Sequence, residues 1–448
     1  MSEKRKKHVH IIGICGVTMA PLGVLYKSMG WRVTGSDRAF FPPMSTYLEE
    51  NGIKIMPGFK KEHIEPTPDL VLVMAFITEK NPEIIEAKRK KIPVKVYADV
   101  LPELIERENS IVIAGDCGKT STTALITWVL EKAGYNPNFM IGGLPKNFEH
   151  GIRRTDSQWS VMEGDEYVAS SWDNTPRFLY YNPKYLILTD IQWDHMDKYP
   201  SKQRYITIFE QLVRKVPKDG LIVAHRYGEN VEKVAKKAHA PVLFYSDKDS
   251  RGFSLPFKGG IWRQNSAAAI VLARHLKISD TAIKDALQSF EGVKRRQEVR
   301  FENKHVVVID DNAHTPTKVR GALGAISETF PGHALVTIYE PGNRTQAALR
   351  QVGYAQCFKQ AHTILLPRVS AVASEIQNFN QYLARHLQRY YKDCRYIEDD
   401  SEIVSIVKKI AKEAKQNKEK IAVVFMSQKG FRGMIEEVVA ALRGVSGE

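Results

Sequence analysis

The sequence predicts an α/β fold spread over roughly three domains. Two observations predict it. Strand-like apolar runs alternate with helical patterns along the whole chain, and a strand, a glycine or acidic turn and a helix begin afresh at three places. The 448 residues also exceed what one ordinary core accommodates.

The first start is the strand His8–Gly13, a glycine turn and the helical stretch Ala20–Met29. Strands are expected next at Trp31–Gly35, Leu70–Met74 and Val94–Tyr97. A second start runs from the strand Ser110–Ala114 through a glycine turn into a helix, with strands at Trp159–Met162, Tyr185–Thr189 and Gly220–Ala224 and an Ala-rich helix over Asn265–His275. The third start is His305–Asp310, after the charged stretch Lys294–Asn303, with strands at Ala334–Tyr339, His362–Leu366 and Ile421–Met426. Boundaries fall near residues 107 and 292, which gives domains 1–107, 108–292 and 293–448. The alternation of strands and helices argues for parallel sheets.

Composition narrows the classes of function. No apolar run approaches the roughly 18–20 residues that span a bilayer. The basic start Met1–Lys7 precedes only a short apolar stretch broken by glycines, so no signal peptide is expected and the cytoplasm is the default. Cys15, Cys117, Cys357 and Cys394 form no CxxC pair, which suggests neither a disulfide framework nor a zinc site. The formal charge of +14 would suit nucleic acid, but the basic residues are scattered and interleaved with Glu. Glu86–Lys95 and Lys408–Lys420 read as solvated helix faces, so neither nucleic acid nor membrane is expected as a partner.

The strongest chemical signal is Gly115-Asp116-Cys117-Gly118-Lys119-Thr120-Ser121, directly after a strand and opening a helix. Glycines let backbone N–H groups approach phosphate oxygens, and the helix N-terminus adds a favourable dipole. Lys119 is placed to reach terminal phosphates and the Thr120 hydroxyl to ligate magnesium. The strict P-loop spacing fails, because Ile113 stands where its first glycine belongs.

Four weaker patterns leave alternatives open. Gly13-Ile14-Cys15-Gly16, with Asp37 further on, fits a tight structural turn or half of a nucleotide fingerprint; Met19 stands where a third glycine would be. Glu163-Gly164-Asp165-Glu166 at a strand end suits magnesium ligation or a plain acidic loop. Asp194-His195-Met196-Asp197 offers an imidazole for a metal or a carboxylate, or a loop histidine of no special role. Asp310-Asp311 through Pro316 could bind ribose hydroxyls, with Arg295-Arg296 on phosphate, or form a turn and a surface basic pair.

In this order, the five patterns resemble the Mur ligase family of peptidoglycan synthesis, from His10 to about Met434. The stretches His10–Gly16, Gly35-Ser36-Asp37, Pro42-Pro43-Met44-Ser45-Thr46, Glu163–Tyr167, Leu186–Leu188 through His195, and Asp310–Pro316 carry the likeness. Pro42–Thr46 looks closest to the peptide-recycling branch. The resemblance implies a Rossmann-like N-terminal domain for a UDP-sugar, a P-loop central ATPase domain and a Rossmann-like C-terminal domain that brings the amine. It implies an ATP- and Mg2+-dependent, ADP-forming ligase that phosphorylates the lactyl carboxylate of UDP-MurNAc and joins it to L-Ala-γ-D-Glu-meso-DAP. L-alanine as the amine, or binding without turnover, are the alternatives. Position by position, Gly115, Gly118, Lys119 and Ser121 would cradle phosphates. Thr120 and Glu163 would serve one magnesium and His195 a second. Asn265 would meet adenine, Arg296 and Asp311 phosphate and ribose, and Gly13, Gly16, Ser36 and Asp37 the UDP. The chain departs from the family where Asp116 and Cys117 replace Thr and His, where Ile261-Trp262 replace His-Asn, and where Met74-Ala75-Phe76 replaces Gly-Asn-Ala.

Overall fold

The computed structural model describes residues 5–38, 40, 42–195, 198–341, 354–369 and 379–446. Met196 and Asp197 of the histidine motif, and the chain ahead of Arg5, lie outside them. Three sheets form in chain order. The first contains β1 (His8–Ile12), β2 (Arg32–Asp37), β3 (Ile55–Pro57), β4 (Leu70–Val73) and β5 (Val94–Val96), in spatial order β3-β2-β1-β4-β5, all parallel. The second contains β6 (Asn109–Ala114), β7 (Asn138–Met140), β8 (Ile152–Arg153), β9 (Trp159–Gly164), β10 (Tyr185–Leu188), β11 (Leu221–His225) and β12 (Val242–Tyr245), in order β12-β11-β10-β6-β9-β7-β8. The third contains β13 (Glu298–Glu302), β14 (Val306–Asp311), β15 (His333–Glu340), β16 (Ala361–Pro367), β17 (Cys394–Ile397) and β18 (Lys420–Ser427), in order β13-β14-β18-β15-β16-β17.

The three strand–turn–helix starts thus become β1, β6 and β14. The sheets are parallel, as expected, apart from two edge pairings. β8 pairs with β7, and β13 with β14, antiparallel. β13 occupies the stretch read as a charged preamble: a register shift between Val299 and Phe301 turns Phe301 onto the cluster that holds Val308, while Val299 stays exposed at the sheet edge. The stretch over residues 86–95 is also not one helix. The helix Pro82–Arg89 ends there, and Lys95 lies within β5.

The chain divides into two compact units, one holding everything to Pro256 together with Gln264–Val293, the other Phe257–Arg263 and the chain from Lys294 onward. In the first, one apolar cluster runs from Val9 and Ile11 of β1 to Val112 of β6 and Leu186 of β10, and another gathers Ile12, Val71 and Ile84. In the second, alternate residues of β14 face opposite layers, Val307 and Ile309 into one cluster and Val306 and Val308 into the other. Among the described residues no helix is long and apolar enough to cross a membrane.

Strand order determines where ligands can sit. In an open parallel sheet the crevice opens beyond the strands' carboxyl ends, where the order reverses. In the first sheet that place follows β1, at Gly13–Gly16; in the second it follows β6, at Gly115–Gly118.

Candidate active site

The turn after β6 is tight because glycine is required there. Gly115 has φ +133°, and a Cβ on it would lie 2.2 Å from the Thr189 hydroxyl oxygen. Asp116 N–H donates to the Asp190 carbonyl at 2.8 Å, tying the loop to the end of β10. Gly118 takes the left-handed conformation and starts the helix Lys119–Lys132. That helix is rich in β-branched threonines, but they are buried, and the Thr123 and Thr127 hydroxyls donate to carbonyls four residues back.

Lys119 lies almost wholly buried, with its ammonium donating to the Gly115 carbonyl and, at 2.7 Å, to Glu166 Oε2. Burial disfavours its charge, but the carboxylates of Glu166, Asp165 and Asp116 more than offset this and hold its pKa above the ordinary value. The other oxygen of Glu166 lies 3.2 Å from His195 Nε2. Burial pushes the Glu166 carboxyl up, yet Lys119 and the histidine bring it net below the usual range. Glu166 therefore joins Lys119 to His195. His195 itself has φ +53°, a strained backbone of the kind that concentrates at working sites, and its ring packs edge-on against Tyr167 at 5.0 Å.

The acidic motif divides into three separate tasks. Glu163 Oε1 accepts from the Thr120 hydroxyl at 3.0 Å and its Oε2 from Gly142 N–H at 2.9 Å. Asp165 pairs with Arg177, which holds its carboxyl far below the usual range against the effect of burial. Glu166 serves Lys119 and His195. Only Glu163 of the three was assigned a role from sequence. The Arg177 guanidinium is also enclosed by rings, 4.9 Å from the Tyr97 centroid, 5.5 Å from Tyr167 and 5.8 Å from Phe76. Nothing local in the sequence marks Arg177, which reaches Asp165 across a separation of 12 residues.

The donor set fits a small divalent cation. Thr120 and Glu163 offer adjacent hard oxygens, and among the described residues no cluster of three His, Cys, Asp or Glu forms a complete cage. Magnesium bound through one or two protein oxygens and substrate phosphates needs no such cage.

The remaining sequence candidates are distributed as follows. Asn265 is buried in the helix Gly260–His275, its side-chain oxygen accepting from the Thr122 hydroxyl at 3.1 Å, beside the phosphate loop. Ser121 is buried in the first turn after that loop. Gly13 has φ +81°, with its N–H donating to the Ser36 carbonyl at 2.8 Å. Gly16 N–H closes the turn on the Gly13 carbonyl. Asp37 accepts from Cys15 N–H at 3.0 Å, so its carboxylate shapes the loop. The Ser36 hydroxyl donates at 2.6 Å to buried Glu83, a residue the sequence reading passed over. In the second unit, burial pushes Asp311 up while the charge of Arg296 pulls it down, and its oxygens accept from Gln297 and Ala313 N–H. Arg295 is not a surface basic residue. It pairs with buried Asp310 at 3.3 Å and donates to the carbonyls of Ser427, Gln428 and Lys429.

A glycine turn at a sheet's switch point, its lysine and hydroxyl answered by carboxylates at and just beyond the end of the neighbouring strand, fits a class: enzymes that use a nucleoside triphosphate. Comparison with known proteins narrows the class. Residues 8–109 match the model of the Mur ligase family catalytic domain, 113–273 the Mur ligase middle domain and 295–428 the Mur ligase glutamate ligase domain. The UDP-N-acetylmuramate--L-alanyl-gamma-D-glutamyl-meso-2,6-diaminoheptandioate ligase of Escherichia coli K12 is 34% identical over 363 residues, 75% of this chain and 79% of that one. The UDP-N-acetylmuramate--L-alanine ligase of Brachyspira hyodysenteriae is 29% identical over 447 residues, covering 92% of this chain and 94% of that one. The crystal structure of a murein peptide ligase from Psychrobacter arcticus superposes with TM-score 0.75 at 25% identity, covering 97% and 98% of the two chains. The chain belongs to the Mur ligase family, whose members are ATP-dependent amide ligases.

Proposed function

We propose that this protein joins the peptide L-Ala-γ-D-Glu-meso-DAP to the lactyl carboxylate of UDP-MurNAc, with ATP converted to ADP and phosphate. In this reading, residues 1–107 hold the UDP-sugar, 108–292 ATP and 293–448 the incoming amine. The observation that carries it is the Lys119–Glu166–His195 chain beside the Thr120–Glu163 pair. The 34% identity to the Escherichia coli ligase supports this peptide over L-alanine.

A carboxylate is a poor electrophile, and phosphorylation gives its carbon a leaving group. The carboxylate oxygen attacks the γ-phosphorus, and the bond to the departing ADP breaks. The peptide's amine nitrogen then attacks the acyl carbon, a proton leaves the nitrogen, and the carbon–oxygen bond to phosphate breaks. Lys119 balances negative charge on the transferring phosphoryl group, and Gly115, Gly118 and Ser121 orient it. Thr120 and Glu163 would hold one magnesium and His195 a second, and cations bound there would supply neutralisation of phosphate charge. Glu166 keeps Lys119 charged and aimed at the loop until phosphate arrives. Asn265 meets the adenine, Arg296 and Asp311 the phosphate and ribose from the third domain, and Gly13, Gly16, Ser36 and Asp37 the UDP.

The reading is tested by phosphate release. Purified protein with UDP-MurNAc, ATP and magnesium should release phosphate only when the peptide is added, and faster with it than with L-alanine. Silence with every amine would reduce the reading to a nucleotide-binding protein. Lys119→Ala should lower turnover by about a thousandfold, and a near-normal rate would remove Lys119 from the chemistry.

A further inference from the structure

One large ring stands half-open between two loops to which the proposed function gives the two ends of one substrate. Phe76 follows β4 and is 45% exposed. Two residues before it, Met74 closes over the turn assigned to UDP: a Cβ on Gly13 would lie 2.7 Å from Met74 Cβ, and one on Gly16 3.1 Å from the Met74 sulfur. On its other side, the Phe76 ring meets Tyr167 edge-on at 5.4 Å, and Tyr167 meets His195 at 5.0 Å. His195 continues through Glu166 to Lys119. The loop is held from below, since the Ser171 hydroxyl donates to the Ile77 carbonyl at 3.0 Å and the Arg177 guanidinium lies 5.8 Å from the Phe76 ring.

A substrate with its diphosphate at Gly13–Gly16 and its carboxylate near Lys119 must lay its middle along this line. In a UDP-linked sugar acid that middle is the pyranose ring, which has an apolar C–H face and no charge. A half-exposed aromatic ring is the side chain suited to cover such a face, because both surfaces lose water together. We propose that Phe76 is the platform for the sugar ring and so selects a glycosyl-linked carboxylate over a free nucleotide. The proposal rests on the ligase reading above.

Titration calorimetry of wild type, Phe76→Ala and Phe76→Trp, each with UDP-MurNAc and separately with UDP, tests it. Phe76→Ala should weaken UDP-MurNAc binding about 5- to 10-fold and leave UDP within about twofold. Phe76→Trp should restore the sugar-dependent part, and KM for UDP-MurNAc should follow the same order with kcat little changed. Equal loss for both ligands would mean that the ring meets the nucleotide, and no loss that it meets neither; either result overturns the proposal. Wild type that binds UDP but not UDP-MurNAc would instead overturn the ligase reading itself.

Discussion

Glu83 and Glu166 are both fully buried carboxylates flanked by histidine, and they do opposite work. Glu83 is held on both oxygens: His63 Nδ1 at 2.6 Å and Lys60 N–H at 3.1 Å meet one, and the Ser36 hydroxyl donates at 2.6 Å to the other, with His10 Nε2 3.5 Å from it. Glu166 has a lysine on one oxygen and a histidine on the other. A carboxylate held by several fixed groups is a lock, since each donor would be left unsatisfied if it moved. One held by a phosphate-loop lysine is exchangeable, because an arriving phosphate can take over the lysine. The first carboxylate fixes the loop at Ser36; under the proposed function the second readies Lys119 for phosphate.

The largest effect expected from that contrast lies at Glu166. Glu166→Gln should cut turnover about a hundredfold at saturating substrates, because Lys119 and His195 lose the charge that joins them. Full activity would show the chain to be structural only. Glu83→Gln should do the reverse, costing about 2 kcal/mol of stability with turnover changed less than about threefold. Denaturant melts followed beside the rate assay measure both quantities. A Glu83 variant that folds normally but cannot turn over would erase the contrast.

Acid sharpens it. Burial raises the Glu83 carboxyl, but His10, Ser36 and Lys60 lower it further, to a net position below the ordinary 4.5. A depressed carboxylate stabilises the fold above its unfolded value, and that contribution disappears as pH falls through the folded one. Wild type should therefore lose stability steeply once pH drops below about 4.5, and the stability curve of Glu83→Gln should be flatter there.

The smallest effect concerns Asp116, whose carboxylate adds negative charge around the phosphate loop. Asp116→Thr should tighten ATP binding about 3- to 10-fold at low salt, and less at high salt, where screening has already weakened the repulsion. Calorimetry showing unchanged or weaker binding would count against that electrostatic reading.

What could be read without the structure follows from locality. The turn at Gly115–Ser121 is local, since strand, glycines, lysine and helix lie within about a dozen neighbouring residues, so its place at the head of the central sheet was legible. The same holds for the glycine turn at Gly13 and for most strands, whose apolar runs need no partner to be recognised. β13 was missed because an edge strand half-open to solvent reads as charged. Arg295 was read as a possible surface residue because its acceptors, the carbonyls of 427–429, lie over 130 residues away.

The sequence alone determined the α/β layering, the three strand–turn–helix starts and the glycine turn that carries Lys119 and Thr120, because periodicity and backbone chemistry act between near neighbours. Only the tertiary structure decided which partner each carboxylate takes. Glu163 went to Thr120, Asp165 to Arg177, Glu166 to Lys119 and His195, and Glu83 to Ser36 across 47 residues. The physical reason is that pairing of buried charges depends on distance and desolvation, which exist only once parallel strands from separate parts of the chain lie side by side.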